Sequence, residues 1–405
     1  MIINQNQFYL KKYITQNFPT FLNSKSTKIN FHSSTKNDSL KEEILLDDKL
    51  TQLKLIKTPI IKEDTISLLK RIRFAANDMK YSFSESIKSL LTKYQIENIE
   101  LRRKDELLGF ITLKKHKIFI EEKPIENYYL TNFCVNPTMR SRGYGKLIIN
   151  NVLSYLDAQI GEEPSLISCF IKESNIQTVK AFLHLGFNIA AKYRTFWLSD
   201  INPQSSHQLV RLNDEKMVNI DEYKGFWEKF SESHSKFILN DFRDWVLKDD
   251  FYGLKKNNEI VAAAQFTPIK LQFHPISAQT IWDEILNIVC SLYPQPLLEK
   301  ELIHPFFNFS IPYFKEGNED QFVELIKTVL QNSKMRAVSG LFDERNEMFK
   351  NLFYYVRKNK KMGEFGKILT EQLPLTFFMV EFKNFKMETL QKIKNKSINY
   401  SFRGF

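Results

Sequence analysis

The run Arg140-Ser-Arg-Gly-Tyr-Gly-Lys146 sets three cations around two glycines. That combination suits the holding of a pyrophosphate. N–H groups of a tight turn point at the anion, and a helix starting there adds its dipole. Glycines let the backbone come close. Other chemistries are missing from the sequence. A phosphate loop of the Walker type needs G-x-x-x-x-G-K-[ST], and a dinucleotide fingerprint needs G-x-G-x-x-G with a following acidic residue. Neither is present. The seven His are scattered without HExxH or other ligand spacing, so no metal is expected. No G-x-S-x-G nucleophile turn occurs either.

The elements that must position the turn are legible around it. Tyr129–Val135 reads as an apolar strand and Asn136-Pro137 as a turn. Leu147, Ile148, Ile149, Val152, Leu153 and Leu156 recur at helical spacing. Leu166–Ile171 reads as the next strand. Asn175 then opens a second helical pattern through Phe182, which closes on Gly186-Phe187.

The arrangement Val135-x-Pro137-x-x-Arg140-x-x-Gly143-x-Gly145, followed thirty residues on by Asn175 through Gly186-Phe187, resembles the acetyl-CoA loop and following helix of the GNAT superfamily of N-acetyltransferases. The resemblance implies direct transfer of acetyl from acetyl-CoA, as co-substrate, to an amine. It implies a CoA site at Phe133, Cys134, Val135, Arg140, Ser141, Arg142, Gly143, Tyr144, Gly145, Lys146 and Asn175. Backbone N–H groups of Phe133, Cys134 and Val135 would face the thioester oxygen. One position departs from the family. Where many members carry a Tyr as acid for the leaving thiolate, this chain has Phe182, which donates no proton. Tyr193 on the next strand is the candidate replacement. His184, two residues from Phe182, falls on another helix face and reads as a surface residue. Glu173, at the end of the strand before Asn175, is the candidate general base, with Glu126 a second option. Cys134 is a poor nucleophile, because apolar neighbours keep a thiol protonated.

The chain repeats itself. Leu101–Phe110 matches Leu254–Ala263 as strand, polar turn, strand. Asn132–Val135 can be laid on Asn308–Ile311, and Asn175–Phe182 on Asn346–Phe353. The second copy has Glu316, Glu319 and Asp320 where the first has its basic turn, and Arg357-Lys358 where the first has Gly186-Phe187. Acidic groups there repel pyrophosphate. The expected fold class is α+β: two tandem GNAT-like domains, each a mixed, mostly antiparallel sheet flanked by helices, the second degenerate. The expected boundaries are a partly disordered extension over 1–50, the acetyltransferase domain over 51–215 and the degenerate domain over 216–405. Gln208–Leu212 is a short strand of either domain. An insertion around Ile276–Pro305 carries an amphipathic helix, and final strands are expected over Leu375–Phe382 and Ile398–Phe405.

At 405 residues the chain suits two or three domains. Its 35 Phe supply ample core, and 12 Gly with 13 Pro exclude low-complexity material. Three separated Cys read as reduced core residues in a reducing compartment. No apolar run approaches a membrane span. Residues 1–37 hold five Lys and no acidic residue, yet no Arg precedes Arg71. A cytoplasmic location is therefore expected, with a mitochondrial one as alternative. The net charge of +11 suits a polyanionic ligand such as CoA. It permits nucleic acid, but no RNA-binding signature accompanies it. The expected function is an acetyl-CoA-dependent N-acetyltransferase acting on a primary amine of a small molecule or protein. The alternatives are a long-chain acyl-CoA or aminoacyl N-acyltransferase on the same fold, as in N-myristoyltransferases, and a non-catalytic CoA-binding module.

Overall fold

The structure is a computed structural model. It describes residues 42–59, 61–71, 74–76, 79–83, 97–121, 123–199, 208–212, 221–235, 238–240, 250–274, 302–333, 335, 337–360 and 375–399. The first half contains β1 (Glu43–Asp48), β2 (Leu53–Thr58), α1 (Glu63–Arg71), β3 (Phe74–Ala76), β4 (Met79–Phe83), β5 (Glu97–Arg103), β6 (Glu106–Ile120), β7 (Lys123–Val135), α2 (Tyr144–Gln159), β8 (Ser165–Lys172), α3 (Ile176–His184) and β9 (Asn188–Ser199). The second contains β10 (Gln208–Arg211), α4 (Asp221–Ser235), β11 (Leu239–Asn240), β12 (Phe251–Lys256), β13 (Glu259–His274), β14 (Leu302–Phe314), α5 (Glu319–Gln331), β15 (Ala337–Asp343), α6 (Glu347–Lys360), β16 (Thr376–Lys383) and α7 (Met387–Asn395).

The α+β architecture of two repeated halves is present, and its two sheets are continuous. The strand order is β1-β2-β5-β6-β7-β8-β16-β9-β15-β14-β13-β12-β10. Read from the middle outward, the order pairs β16 with β9, β8 with β15, β7 with β14, β6 with β13, β5 with β12 and β2 with β10. Each half has therefore given its last strand to the other. β16 lies between β8 and β9, antiparallel to both. β9 continues onto β15. In each half one parallel rung set, β7 with β8 and β14 with β15, interrupts an otherwise antiparallel sheet. The ordered sheet begins at Glu43, inside the stretch expected to be an extension. β10 pairs with β12 and so opens the second half.

Local chemistry explains the elements. The two repeated hairpins turn through left-handed residues, Lys104 in the first (φ 53°) and Asn257-Asn258 in the second (φ 49° and 67°). Residues in that conformation match the twist of a tight hairpin. β16 reads Thr-Phe-Phe-Met-Val because it is buried on both faces in the middle of the sheet. Phe377 and Met379 meet the core under α2 and α3, whereas Phe378 and Val380 meet the core on the other face. α2 buries Ile148, Ile149, Val152, Leu153, Tyr155 and Leu156, the expected stripe with Tyr155 added and Leu147 at its margin. α5 and α6 repeat this packing over the second half through Phe322, Ile326, Val329, Phe349, Leu352 and Val356. On the opposite face α1 is tied to β5 by a buried ionic cluster. Glu100 accepts from Thr65 Oγ1 (2.7 Å), Asn98 Nδ2 (2.9 Å) and Arg102 Nε (2.7 Å), and Arg102 reaches Asp64 (2.6 Å). Such a pair is costly to leave half-made.

Two expectations are revised by register and range. The bulge that separates β7 from β6 at Asn132 recurs in β14 at Ile311, so Asn132 is the counterpart of Ile311, three residues further on than the match with Asn308. Residues 302–305, placed in the insertion, belong to β14. The helix expected over Ile281–Val289 lies outside the described residues. Of the final strands, Thr376–Lys383 is present, and of Ile398–Phe405 only Ile398 and Asn399 are described.

Candidate active site

The β7–β8 ladder runs from Glu126/Ser165 to Leu130/Cys169 and stops. Both strands continue past that point, β7 to Val135 along β6 and β8 to Lys172 along β16. A wedge opens between them. Its mouth is the loop 136–143, which delivers the chain into α2.

That loop has a defined conformation. Asn136 turns the chain, its side chain accepting from Thr138 N (3.3 Å), and Pro137–Met139 form one 3-10 turn. Ser141 (φ 63°) and Gly143 (φ 83°) are both left-handed. Gly143 is the N-cap of α2, and no side chain caps that end. The first-turn N–H groups of α2 have no partner within a helix. They point outward with the positive end of its dipole, and no acidic residue stands in that turn. Arg140, Ser141, Arg142, Gly143 and Lys146 are exposed around it. At residue 145 a Cβ would stand 3.2 Å from the Phe133 ring, so a side chain there would press on the wedge wall. Tyr144 is half-buried and fixed by Arg103, which bonds its hydroxyl and lies over its ring, 5.7 Å from the centroid. The structure thus brings Phe133, Val135, Arg140 through Lys146 and the wedge together.

Asn175 is exposed and N-caps α3, its Oδ1 accepting from Thr178 N (3.4 Å). Phe182 is buried beneath α3, edge-on to Phe187 at 4.9 Å. His184 is exposed, as expected. Cys134 is buried, and burial pushes its thiol up to about 12, so it stays protonated. Cys169, equally buried, is pushed up too.

The catalytic candidates fare differently. Glu173 is exposed just beyond β8, its N–H donating to Leu375 O (2.8 Å). Tyr193 is buried on the face away from α2 and α3. Its hydroxyl donates to Ile398 O (2.9 Å), and its ring packs against Phe170 at 5.2 Å. With its proton engaged and its ring on the other face, it does not take the place that Phe182 leaves vacant. Glu126 pairs with Lys115 (3.2 Å) and stands at the first rung of the β7–β8 ladder, the end away from the wedge.

Three residues escaped the sequence reading. Gly109 faces Val135 across the ladder, where a Cβ would come within 2.6 Å of the Cys134 carbonyl. Arg103 anchors Tyr144. Asn132 occupies the bulge inside the wedge. Only pairing across strands reveals them.

The second half has the same wedge without the loop. Its ladder ends at Phe309/Gly340. Only residues 315–318 separate β14 from α5, and Glu319 accepts from Gly317 N (3.2 Å), placing a carboxylate of the chain's own at that helix end. Beside this wedge Ile398 is tied to β15 and β9, its N–H donating to Asp343 (2.8 Å) and its carbonyl accepting from Tyr193. α6 continues as helix through Arg357-Lys358.

Residues 73–187 match the model of the acetyltransferase (GNAT) family. Among solved structures, N-myristoyltransferase of Saccharomyces cerevisiae with bound myristoyl-CoA is similar at a TM-score of 0.55 and 10% identity, covering 94% of this chain and 96% of that one. A second structure of that enzyme, with myristoyl-CoA and inhibitors, gives 0.52 and 12%, covering 94% and 93%. At such identity the likeness is one of fold, and it spans both halves. No curated protein matches the chain. Residues 73–187 are therefore a GNAT-family domain, set in a chain whose two halves repeat the GNAT fold.

Proposed function

We propose that the protein is an acyl-CoA-dependent N-acyltransferase, with acetyl-CoA as donor and a primary amine of a small molecule or protein as acceptor. The observation that carries this reading is the wedge past Leu130/Cys169 ending on the anion-ready loop of α2. The donor's pyrophosphate sits on the α2 N-terminus among Arg140, Arg142 and Lys146. Its arm runs up the wedge, where the edge of β7 turned away from β6 offers the backbone N–H groups of Phe133 and Val135 to the thioester oxygen, while the N–H of Cys134, like that of Asn136, faces β6. Holding donor and amine together supplies a large part of the rate. Glu173 is the proposed base, acting directly or through a water. The buried, protonated thiol of Cys134 favours direct transfer without an acyl-enzyme.

Acetyl is favoured over a long chain by what stands at the apex of the wedge. Tyr129 and Phe170 meet edge to face at 6.1 Å on one side of the sheet, backed by Phe378 at 4.9 Å. Leu130, Cys169 and Ile171 are buried on the other. A long chain would have to displace this packing. The second reading, a longer acyl donor, rests on the fold shared with a myristoyl-CoA-binding protein. A CoA-release assay with acetyl-, octanoyl- and myristoyl-CoA against amines and N-terminal peptides separates the two. Turnover with acetyl-CoA alone supports the proposal. Turnover with myristoyl-CoA alone replaces it by the second reading, and CoA binding without turnover on any acceptor points to a binding module.

A further inference from the structure

Asn132 sits where β7 is most distorted. The register slips between Phe110/Cys134 and Thr112/Thr131, so Asn132 and Phe133 together face Ile111. This is a β-bulge, a device that re-aims a side chain. Asn132 is left-handed (φ 51°) and lies two residues past the last β7–β8 rung, inside the wedge. The residue is half-buried. Its Nδ2 is closed from solvent and meets no hydrogen-bond acceptor. Buried donors without acceptors are uncommon, and each calls for a cause.

The bulge is not that cause. The second half makes the same bulge at Ile311 (φ 54°), which packs among apolar side chains including Phe251 and Tyr313. The fold holds this conformation even with a β-branched residue. The amide is present in the half with the basic loop and absent from the half without it. An acceptor that arrives with the donor substrate accounts for both facts.

We propose that Asn132 Nδ2 donates to the thioester carbonyl oxygen of the bound acyl donor, beside the backbone N–H groups of Phe133 and Val135. The assignment rests on the acyl-CoA reading above. When the amine nitrogen bonds to the carbonyl carbon, the C=O electron pair moves onto that oxygen. Its return breaks the C–S bond and expels the CoA thiolate. The proton lost by the amine passes to a base and ends on the thiol. Asn132 acts at the first of these moments, when the oxygen carries the charge.

Asn132→Gly tests it. Glycine accepts a left-handed backbone freely, so this variant removes the amide and leaves the bulge unstrained. The expected result is a kcat lower by roughly 10²- to 10³-fold, as for other single oxyanion donors. CoA affinity and Tm should equal or exceed those of the wild type. Asn132→Asp, with the same shape but no N–H, should be at least as slow. Infrared spectra of bound acetyl-CoA carrying an isotopic label at the thioester carbonyl give a second readout that needs no turnover. The thioester carbonyl band should sit at lower frequency on the wild type than on Asn132→Gly. Wild-type kcat in Asn132→Gly, loss of CoA affinity with kcat unchanged, or identical carbonyl bands would each overturn the assignment. A band shift in a protein that turns over no acceptor would keep Asn132 as the carbonyl donor and refute the transferase reading. Absence of acetyl-CoA binding to the wild type would refute both.

Discussion

Gly143 offers a clean test of the donor site because strain and charge can be separated there. A Cβ at this position would meet nothing within 4 Å, so a short side chain fits without a clash. The cost of substitution is the backbone itself, held at φ 83°. A left-handed L-residue costs about 1–2 kcal/mol, and asparagine tolerates that region better than most. Gly143→Asn should therefore fold, with Tm lower by a few degrees at most. Gly143→Asp shares that strain and adds a negative charge. At ~5 Å from each phosphate and an effective dielectric constant of ~40–80, each repulsion is about 1–2 kcal/mol. Against two phosphate charges the total is ~2–3 kcal/mol, which is roughly 30- to 150-fold in Kd. Calorimetric titration of both variants with CoA measures the difference directly. Raising the salt to about 1 M shrinks the screening length to about 3 Å and should bring the two affinities together. Equal Kd values for the Asn and Asp variants at low salt would refute the loop as the pyrophosphate site.

Further outcomes follow from burial. Cys134→Ala should keep kcat within a few-fold, and iodoacetamide should not label Cys134 in the folded protein, since burial holds its thiol near 12; a loss above a hundredfold would reinstate it as a nucleophile. Burial, with a smaller contribution from Lys114, lowers His116 to about 3, and burial lowers His234 to about 4. Unfolded histidines take up protons near 6.5, so this stability is complete above about pH 6.5 and is lost as the pH falls toward 3 to 4. The urea midpoint should drop between about pH 7 and pH 5, and His116→Gln should flatten that slope; a pH-independent midpoint would contradict it. Ending the chain before Thr376 removes β16 and bares the facing edges of β8 and β9. The truncated protein should be insoluble or lose its cooperative melt, because long bare edges aggregate. A soluble, CoA-binding truncation would show that the sheet holds without β16.

The parts whose physics is local could be read from the chain one segment at a time. The glycines and arginines of 140–146, the stripe of α2, the Asn175 cap, the hairpin turns at Lys104 and Asn257, and the acidic replacement at Glu319 all follow from residues a few positions apart. Turn conformation, capping and helical periodicity act over that range. Whatever depends on pairing between distant segments had to wait for the folded molecule. Nothing in Thr376–Lys383 says that it lies between β8 and β9, although its unbroken apolar run is what a strand buried on both faces requires. Tyr193 reads as a neighbour of the α3 site along the chain, yet strand alternation turns it to the other face, onto Ile398. Asn132 was legible only as a strand residue. Its bulge, its place past the last rung and its unmatched amide arise from the register of β7 against β6 and β8, which a one-residue slip would change for every side chain on the strand.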